Sequence, residues 1–247
     1  MELECERWGN KGETVVLVHG SLNIGPAAFQ AQKPLASSWK LVVPNRRGYG
    51  NNPLITKVDP DVDATDIVEL LGSRAHLVGT SMGSIVVAKA AALAPSKVSS
   101  LTLIEPPAYA NAMDIPIVAK SAEALRVHWD TADRGDIMKF LQGFIKAMEM
   151  DLQIPSPLPP GMDAAAKNLL TERPWLTGVP MEALQKTSFP KLVVSGTSSP
   201  VFEAICDRLA QALKASRHTY PKAGHAAQRV GEPFNKLLEA FMQGNPV

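Results

Sequence analysis

The chain has 247 residues, 45% hydrophobic and 20% charged, a globular balance that excludes an intrinsically disordered chain. The length suits one large domain, or one domain carrying an insertion, and such a chain needs no disulfide or metal to hold its core. Lys and Arg total 25 against 24 Asp and Glu, a net charge of +1, which removes any global electrostatic case for nucleic acid or an acidic membrane surface.

In chain order, Thr14–Val18 is a short β-branched run ending at His19-Gly20 and reads as a buried strand. Leu41–Pro44 is a second, followed by the turn-rich loop Asn45–Asn52. Asp61–Leu71 has helical spacing, with Gly72 as its C-cap. Ala75–Val78 is a third strand, and Ser84–Ala94 is apolar nearly all round, as a buried helix would be. Val98–Ile104 is a fourth strand, closed by Glu105-Pro106-Pro107. Residues 108–188 then show no convincing strand. Ile117–Trp129, Ile137–Met148, Ala164–Leu170 and Met181–Lys186 read as helices, with the Pro-rich Ile154–Gly161 as a stiff connector. Lys191–Gly196 restores the strand pattern. A helix around Phe202–Ala215, a strand near Arg217–Tyr220 and a final helix around Pro233–Phe241 follow.

Continuously apolar strands alternating with helices predict an α/β protein: a mostly parallel sheet covered on both faces. The expected organisation is a core of residues 1–107 and 189–247 with a helical cap, 108–188, inserted late in the sheet. Ligands of such sheets bind at the carboxyl ends of the strands. The two cysteines, Cys5 and Cys206, are too few for a disulfide framework and fit isolated buried thiols in a reducing compartment. The acidic Met1–Arg7 start lacks the marks of a secretory signal, and no apolar run approaches ~18 residues. A cytoplasmic, soluble protein is expected, with no membrane or nucleic-acid partner.

Gly79-Thr80-Ser81-Met82-Gly83 is a Gly-x-Ser-x-Gly motif directly after a strand and directly before a buried helix. That context lets two glycines turn the chain sharply and push Ser81 up at the sheet edge, beside the free N–H groups of a helix N-terminus. The bland alternative is a glycine-rich turn whose serine only caps the helix. With this motif the sequence resembles an α/β-hydrolase over essentially the whole chain. Val18-His19-Gly20-Ser21 resembles the family's oxyanion loop. Asn45-Arg46-Arg47-Gly48-Tyr49-Gly50 resembles its Asp-x-Arg-Gly-x-Gly loop, with Asn45 where Asp is common. The resemblance implies an oxyanion hole from the backbone N–H groups of Met82 and Ser21, with Leu22 ranking behind them, and a structural rather than catalytic His19. Of the five histidines, His225 in Ala223-Gly224-His225-Ala226 matches the family's base. His76 and His218 read as packing, and His128 belongs to the cap.

The pattern departs at the acid. Most relatives carry Gly-x-x-Asp after the next-to-last strand; here Gly196-Thr197-Ser198-Ser199 puts Ser199 in the acid's place. Three readings compete. Glu105, at the end of the strand after the nucleophile helix, can supply the carboxylate, as in some haloalkane dehalogenases and the zearalenone-type lactonases. Glu203 or Asp207 on the following helix is a second source. In the third reading there is no working acid, and the protein is a weak enzyme or a binder. An apolar lid over a serine suggests an uncharged, hydrophobic small-molecule substrate, with Leu22, Pro106, Trp129, Trp175 and Val201 as candidate pocket residues. Arg46 and Arg47 read as structural ion pairs.

The expected function is therefore a serine hydrolase, monomeric or homodimeric, that cleaves a hydrophobic ester or lactone. Ser81, His225 and Glu105 would be catalytic, and no metal or nucleotide cofactor is expected. A ligand-binding protein on the same scaffold and a cofactor-free carbon–carbon bond hydrolase are the alternatives.

Overall fold

The computed structural model describes residues 2–150, 152–159 and 162–247. Seven strands form one sheet: β1 (Cys5–Trp8), β2 (Thr14–Val18), β3 (Lys40–Pro44), β4 (Ala75–Thr80), β5 (Val98–Ile104), β6 (Lys191–Ser195) and β7 (Ser216–Thr219). Their spatial order is β1-β3-β2-β4-β5-β6-β7. Only β1, on β3, is antiparallel; every other pairing is parallel.

Side chains along a strand alternate between faces, and here both faces are dry. Val16, Val18, Leu77, Leu101, Leu103 and Val193 feed one hydrophobic cluster. Val15, Leu17, Val78, Ile104, Leu192 and Val194 feed the other. Helix α1 (Gly25–Ala28) and the 3-10 segment Gln30–Ser37 carry Ala28 and Leu35 to the second cluster, as α9 (Glu232–Met242) carries Phe234, Leu238 and Phe241. The larger cluster takes α2 (Pro60–Glu69), α3 (Met82–Leu93) and α8 (Pro200–Leu213). In α3 the apolar run Met82–Ala91 is buried save for Lys89. That accounts for a helix without a polar face.

Between β5 and β6 lie α4 (Pro116–Thr131), α5 (Ile137–Ala147), α6 (Met162–Leu169) and α7 (Met181–Gln185), with no strand among the described residues. Trp129 organises this insertion. Its ring centroid lies 4.9 Å from Phe140, 5.6 Å from Phe144 and 5.5 Å from Trp175, all edge-on, a favoured aromatic geometry. Of the expected Pro-rich connector, Ile154–Pro159 is neither helix nor strand; Pro160 and Gly161 lie outside the described residues.

The sequence reading missed β1. Its exposed Glu6 and Arg7 and buried Trp8 make a four-residue edge strand with little apolar pattern. Asn45 takes the place of the common Asp by bonding both ways: its Nδ2 donates to Glu4 Oε2 at 2.6 Å and its Oδ1 accepts from the Gly25 amide at 2.8 Å. Arg46 pairs with Asp63 at 3.1 Å and Arg47 with Asp66 at 2.5 Å. Cys206 is buried, but Cys5 is only half-buried on the edge strand. No helix among the described residues is long and apolar enough to cross a membrane.

Candidate active site

Ser81 stands at the turn from β4 into α3 with φ 52° and ψ −127°. A non-glycine residue there carries roughly 1–3 kcal/mol of backbone strain. Two flanking glycines leave no other route. A Cβ on Gly79 would lie 2.4 Å from the Gly83 carbonyl oxygen, and one on Gly83 would lie 2.1 Å from that of Val18. The Ser81 side chain makes no capping bond to α3, so the helix-cap alternative has no support in the geometry. Its amide donates to the Ile104 carbonyl at 2.8 Å, tying the turn to the end of β5. Met82 begins α3, and the N–H of a first helical residue has no intrahelical partner.

The loop after β2 lies against this turn. A Cβ on Gly20 would lie 2.9 Å from Ser81 Cβ and 3.5 Å from its Oγ. His19 is fully buried, and burial, reinforced by the Arg46 charge, holds its pKa well below the ordinary value. It is therefore neutral. Its Nε2 accepts from the Arg46 amide at 3.0 Å, so Nδ1 carries the proton and donates to the Gly20 carbonyl at 2.7 Å. An Arg46 Nη2 donates to the same carbonyl at 3.1 Å. In a planar trans peptide the N–H points opposite to the C=O. With the Gly20 carbonyl turned into this buried pair, the Ser21 N–H points away from it.

Glu105 follows β5 and, like Ser81, has a positive φ, 41°. Its side chain is fully buried. His225 Nδ1 lies 2.7 Å from Glu105 Oε2. The other oxygen, Oε1, accepts from the Gly196 amide at 2.8 Å and the Ser198 amide at 3.4 Å. The Ser198 hydroxyl donates to Oε2. Burial alone would push this carboxyl up. The hydrogen bonds and charge of His225, with the bonds from Ser198 and Gly196, outweigh burial and hold it below the usual carboxylate range. The pair is thus an ionised carboxylate fixing an imidazole ring, with Phe202 packed 4.7 Å from that ring.

The other candidate acids are engaged elsewhere. Glu203 and Asp207 both pair with Arg217, at 2.8 and 2.9 Å. Ser199 caps α8 by accepting from the Val201 amide at 3.1 Å and donates to the Met148 carbonyl at 2.8 Å. Sequence reasoning missed Ser198, because the family pattern draws attention to the residue after it.

The other histidines are occupied. His76 bonds Ser100 at 2.8 Å, His128 the Phe140 carbonyl at 2.8 Å, and the His218 ring packs tilted against Tyr220, centroids 4.5 Å apart.

Among the expected pocket residues, Leu22 and Trp175 are half-buried, Pro106 is buried and Val201 is fully buried in the first turn of α8. Trp129 is committed to the insertion's own core, as its three aromatic neighbours require. A cleft of about 290 Å³ opens beside α3, lined by Met82 and Ile85 on one side and Glu172, Arg173 and Leu176 on the other. None of Leu22, Pro106, Trp129, Trp175 and Val201 lines it. Glu172, the second site residue that sequence reasoning missed, comes from the insertion and carries no motif. It is buried, and Ser21 Oγ donates to it at 2.7 Å.

The family model described as "Alpha/beta hydrolase family" matches residues 15–237. The chain belongs to the alpha/beta hydrolase family. It is 25% identical over 187 residues to a pimeloyl-[acyl-carrier protein] methyl ester esterase of Aeromonas hydrophila, covering 74% of this chain and 68% of that protein. It is 24% identical over 266 residues to 2-hydroxy-6-oxononadienedioate/2-hydroxy-6-oxononatrienedioate hydrolase 2 of Pseudomonas putida, covering 98% and 92%. A thermophilic esterase from Thermogutta terrifontis, 23% identical, superposes with a TM-score of 0.71 over 98% of this chain and 93% of that one. The last likeness is one of fold.

Proposed function

We propose that this alpha/beta hydrolase is a serine hydrolase that cleaves a hydrophobic carboxylic ester or lactone through an acyl-enzyme. The observation that carries the reading is the 2.7 Å bond between Glu105 Oε2 and His225 Nδ1, made at the end of the strand whose last residue holds the Ser81 amide. It supports Glu105 as the acid where Ser199 stands in the usual acid position. The esterase name of the Aeromonas hydrophila relative agrees with it.

In this reading Ser81 Oγ attacks the acyl carbonyl as His225 Nε2 takes its proton. The Nδ1–H stays hydrogen-bonded to Glu105, which remains ionised and stabilises the imidazolium. The negative charge that develops on the carbonyl oxygen is met by the Met82 and Ser21 amides. His225 then gives its proton to the departing alkoxide. Water, deprotonated by His225, attacks the acyl-enzyme; the Ser81 Oγ–acyl bond breaks, His225 returns the proton to Ser81 Oγ, and the acid is released. Residues 108–188 serve as a lid, and Leu22, Pro106 and Trp175 serve as apolar wall for the substrate.

A second reading is favoured by the near full-length likeness to the Pseudomonas putida hydrolase: cleavage of a carbon–carbon bond next to a carbonyl with the same serine and histidine.

The test is labelling by a fluorophosphonate probe, read by mass spectrometry, alongside turnover of ester, lactone and diketone panels. Labelling at Ser81, abolished in Ser81→Ala with the fold intact, is the expected result. An unlabelled wild type would end the serine-hydrolase reading, and diketone turnover alone would favour the second.

A further inference from the structure

Glu172 sits in the insertion between α6 and the 3-10 turn Pro174–Leu176, yet its carboxyl reaches the loop after β2. Ser21 Oγ donates to its Oε2 at 2.7 Å. Its Oε1 lies 3.9 Å from Arg46 Nη2, the same nitrogen that donates to the Gly20 carbonyl. One peptide unit is therefore held twice: at the Gly20 carbonyl by His19 and Arg46, and at the Ser21 side chain by Glu172. The charged and titratable groups facing Glu172 are Arg46, Asp63 and Tyr49. Arg46 is itself tied to Asp63 at 3.1 Å, and its guanidinium lies 4.7 Å from the centre of the Tyr49 ring.

Burying the Glu172 carboxyl is costly: the Arg46 charge and the Ser21 and Tyr49 hydroxyls offset only part of the desolvation, and well-packed apolar residues in such a place are often neutral or better. What the contact does supply is a link between the insertion and the loop beside Ser81, made at a single hydroxyl.

We propose that Glu172 is a positioning residue: from the insertion it holds the Ser21 hydroxyl, and thereby fixes the direction of the Ser21 amide beside Ser81. The inference rests on the serine-hydrolase reading above. It makes the oxyanion geometry depend on a seated insertion, because a lifted insertion leaves Ser21 without its partner.

The test compares wild type, Glu172→Ala, Glu172→Gln, Ser21→Ala and the Ser21→Ala/Glu172→Ala double variant. The readouts are fluorophosphonate labelling rate at Ser81 and kcat and KM on an activated ester, with cooperative unfolding checked for each. Complete removal of an oxyanion donor costs about 10²–10³ in rate. A donor that is loosened rather than removed is expected to cost about 10- to 100-fold, in kcat rather than KM. Glu172→Ala and Ser21→Ala should each show that loss. The double variant should be no slower than either, because both break the same bond. Glu172→Gln should restore most of the rate, since its amide oxygen still accepts from Ser21.

Wild-type rates in Glu172→Ala, multiplied losses in the double variant, or a Gln variant as slow as the Ala variant would each overturn the proposal. Should Glu172→Ala not fold, Ser21→Ala decides alone, and a wild-type rate there overturns it. A wild type that is not labelled removes the serine-hydrolase reading and this inference with it. A labelled wild type with an equally fast Glu172→Ala removes only this inference.

Discussion

Glu105→Gln keeps the shape of the side chain and removes its charge. Oε1 accepts two backbone N–H groups, from Gly196 and Ser198, so the Gln oxygen takes that position. Its NH2 then occupies the place of Oε2 and faces His225 Nδ1, 2.7 Å away in the wild type. Two donors cannot meet at that distance. The imidazole must move its proton to Nε2 and accept at Nδ1. A histidine with Nε2 protonated cannot take the proton of Ser81. The comparable change in a serine protease lowers kcat by about 10⁴ with the geometry intact. The expected loss here is about 10³–10⁴ in kcat, or roughly 4–5.5 kcal/mol of transition-state stabilisation. The assay is the Ser81 labelling rate with a fluorophosphonate probe, measured beside ester turnover and a urea unfolding curve. Asp207→Asn, which disturbs only a pair with Arg217, serves as the control. A folded Glu105→Gln variant labelled as fast as wild type would refute the reasoning, and a slow Asp207→Asn would move the acid to α8.

Gly83→Ala drives a Cβ to within 2.1 Å of the Val18 carbonyl and 2.6 Å of that of His19. Both are backbone atoms, so a loss of about 3 kcal/mol or more is expected in urea unfolding; a loss below about 1 kcal/mol would mean that β2 and α3 separate easily. Burial pushes the Glu172 carboxyl up to about 7 from 4.5, against the pull of Arg46 and Ser21. The folded protein then binds more protons than the unfolded chain between these values, so stability falls as pH rises through that window and levels off above it. Relative to Glu172→Gln, the wild type should lose about 3 kcal/mol between pH 4.5 and 7, and parallel stability curves for the two would contradict this origin of the shift.

The parallel sheet was legible because each central strand is buried on both faces and so reads as a continuous apolar run. The nucleophile turn was legible because the close contacts at Gly79 and Gly83 demand glycine, which makes the motif a packing requirement. The edge strand was not, since Cys5–Trp8 pairs on one side only and keeps two exposed charges. Glu105 could be named ahead of Glu203 and Asp207, because a strand end is a local feature and the other two lie one or two turns into the following helix. What engages those two was not legible: both pair with Arg217, 14 and 10 residues away, a partner that no periodicity reports. Glu172 was invisible for the same kind of reason: its contact with Ser21 spans 151 residues. Trp129 was read as a pocket residue because a bulky apolar side chain suits a pocket and a small helical core equally well. Only its neighbours decide between them.

The loop after β6 shows how a carboxylate can sit on β5 instead. Positions 198 and 199 are both serine, but they are not equivalent. The Ser198 hydroxyl meets Glu105 Oε2, the oxygen that His225 Nδ1 touches. The Ser199 hydroxyl meets the Met148 carbonyl and the α8 amide of Val201. A carboxylate moved onto this loop would therefore reach the histidine from 198 and miss it from 199. In the wild-type background Ser198→Asp sets two buried carboxylates against one oxygen site. Like charges at that range cannot both stay ionised, so loss of stability, of activity or of both is expected. In the Glu105→Gln background the repulsion is gone, and Ser198→Asp should recover about tenfold or more of the lost labelling rate. Ser199→Asp should recover none, and its carboxylate against the Met148 carbonyl should cost stability. Recovery from 199 and not from 198 would mean that the loop rearranges to the usual acid position once Glu105 is neutral, and that the serine side chains do not hold it in place.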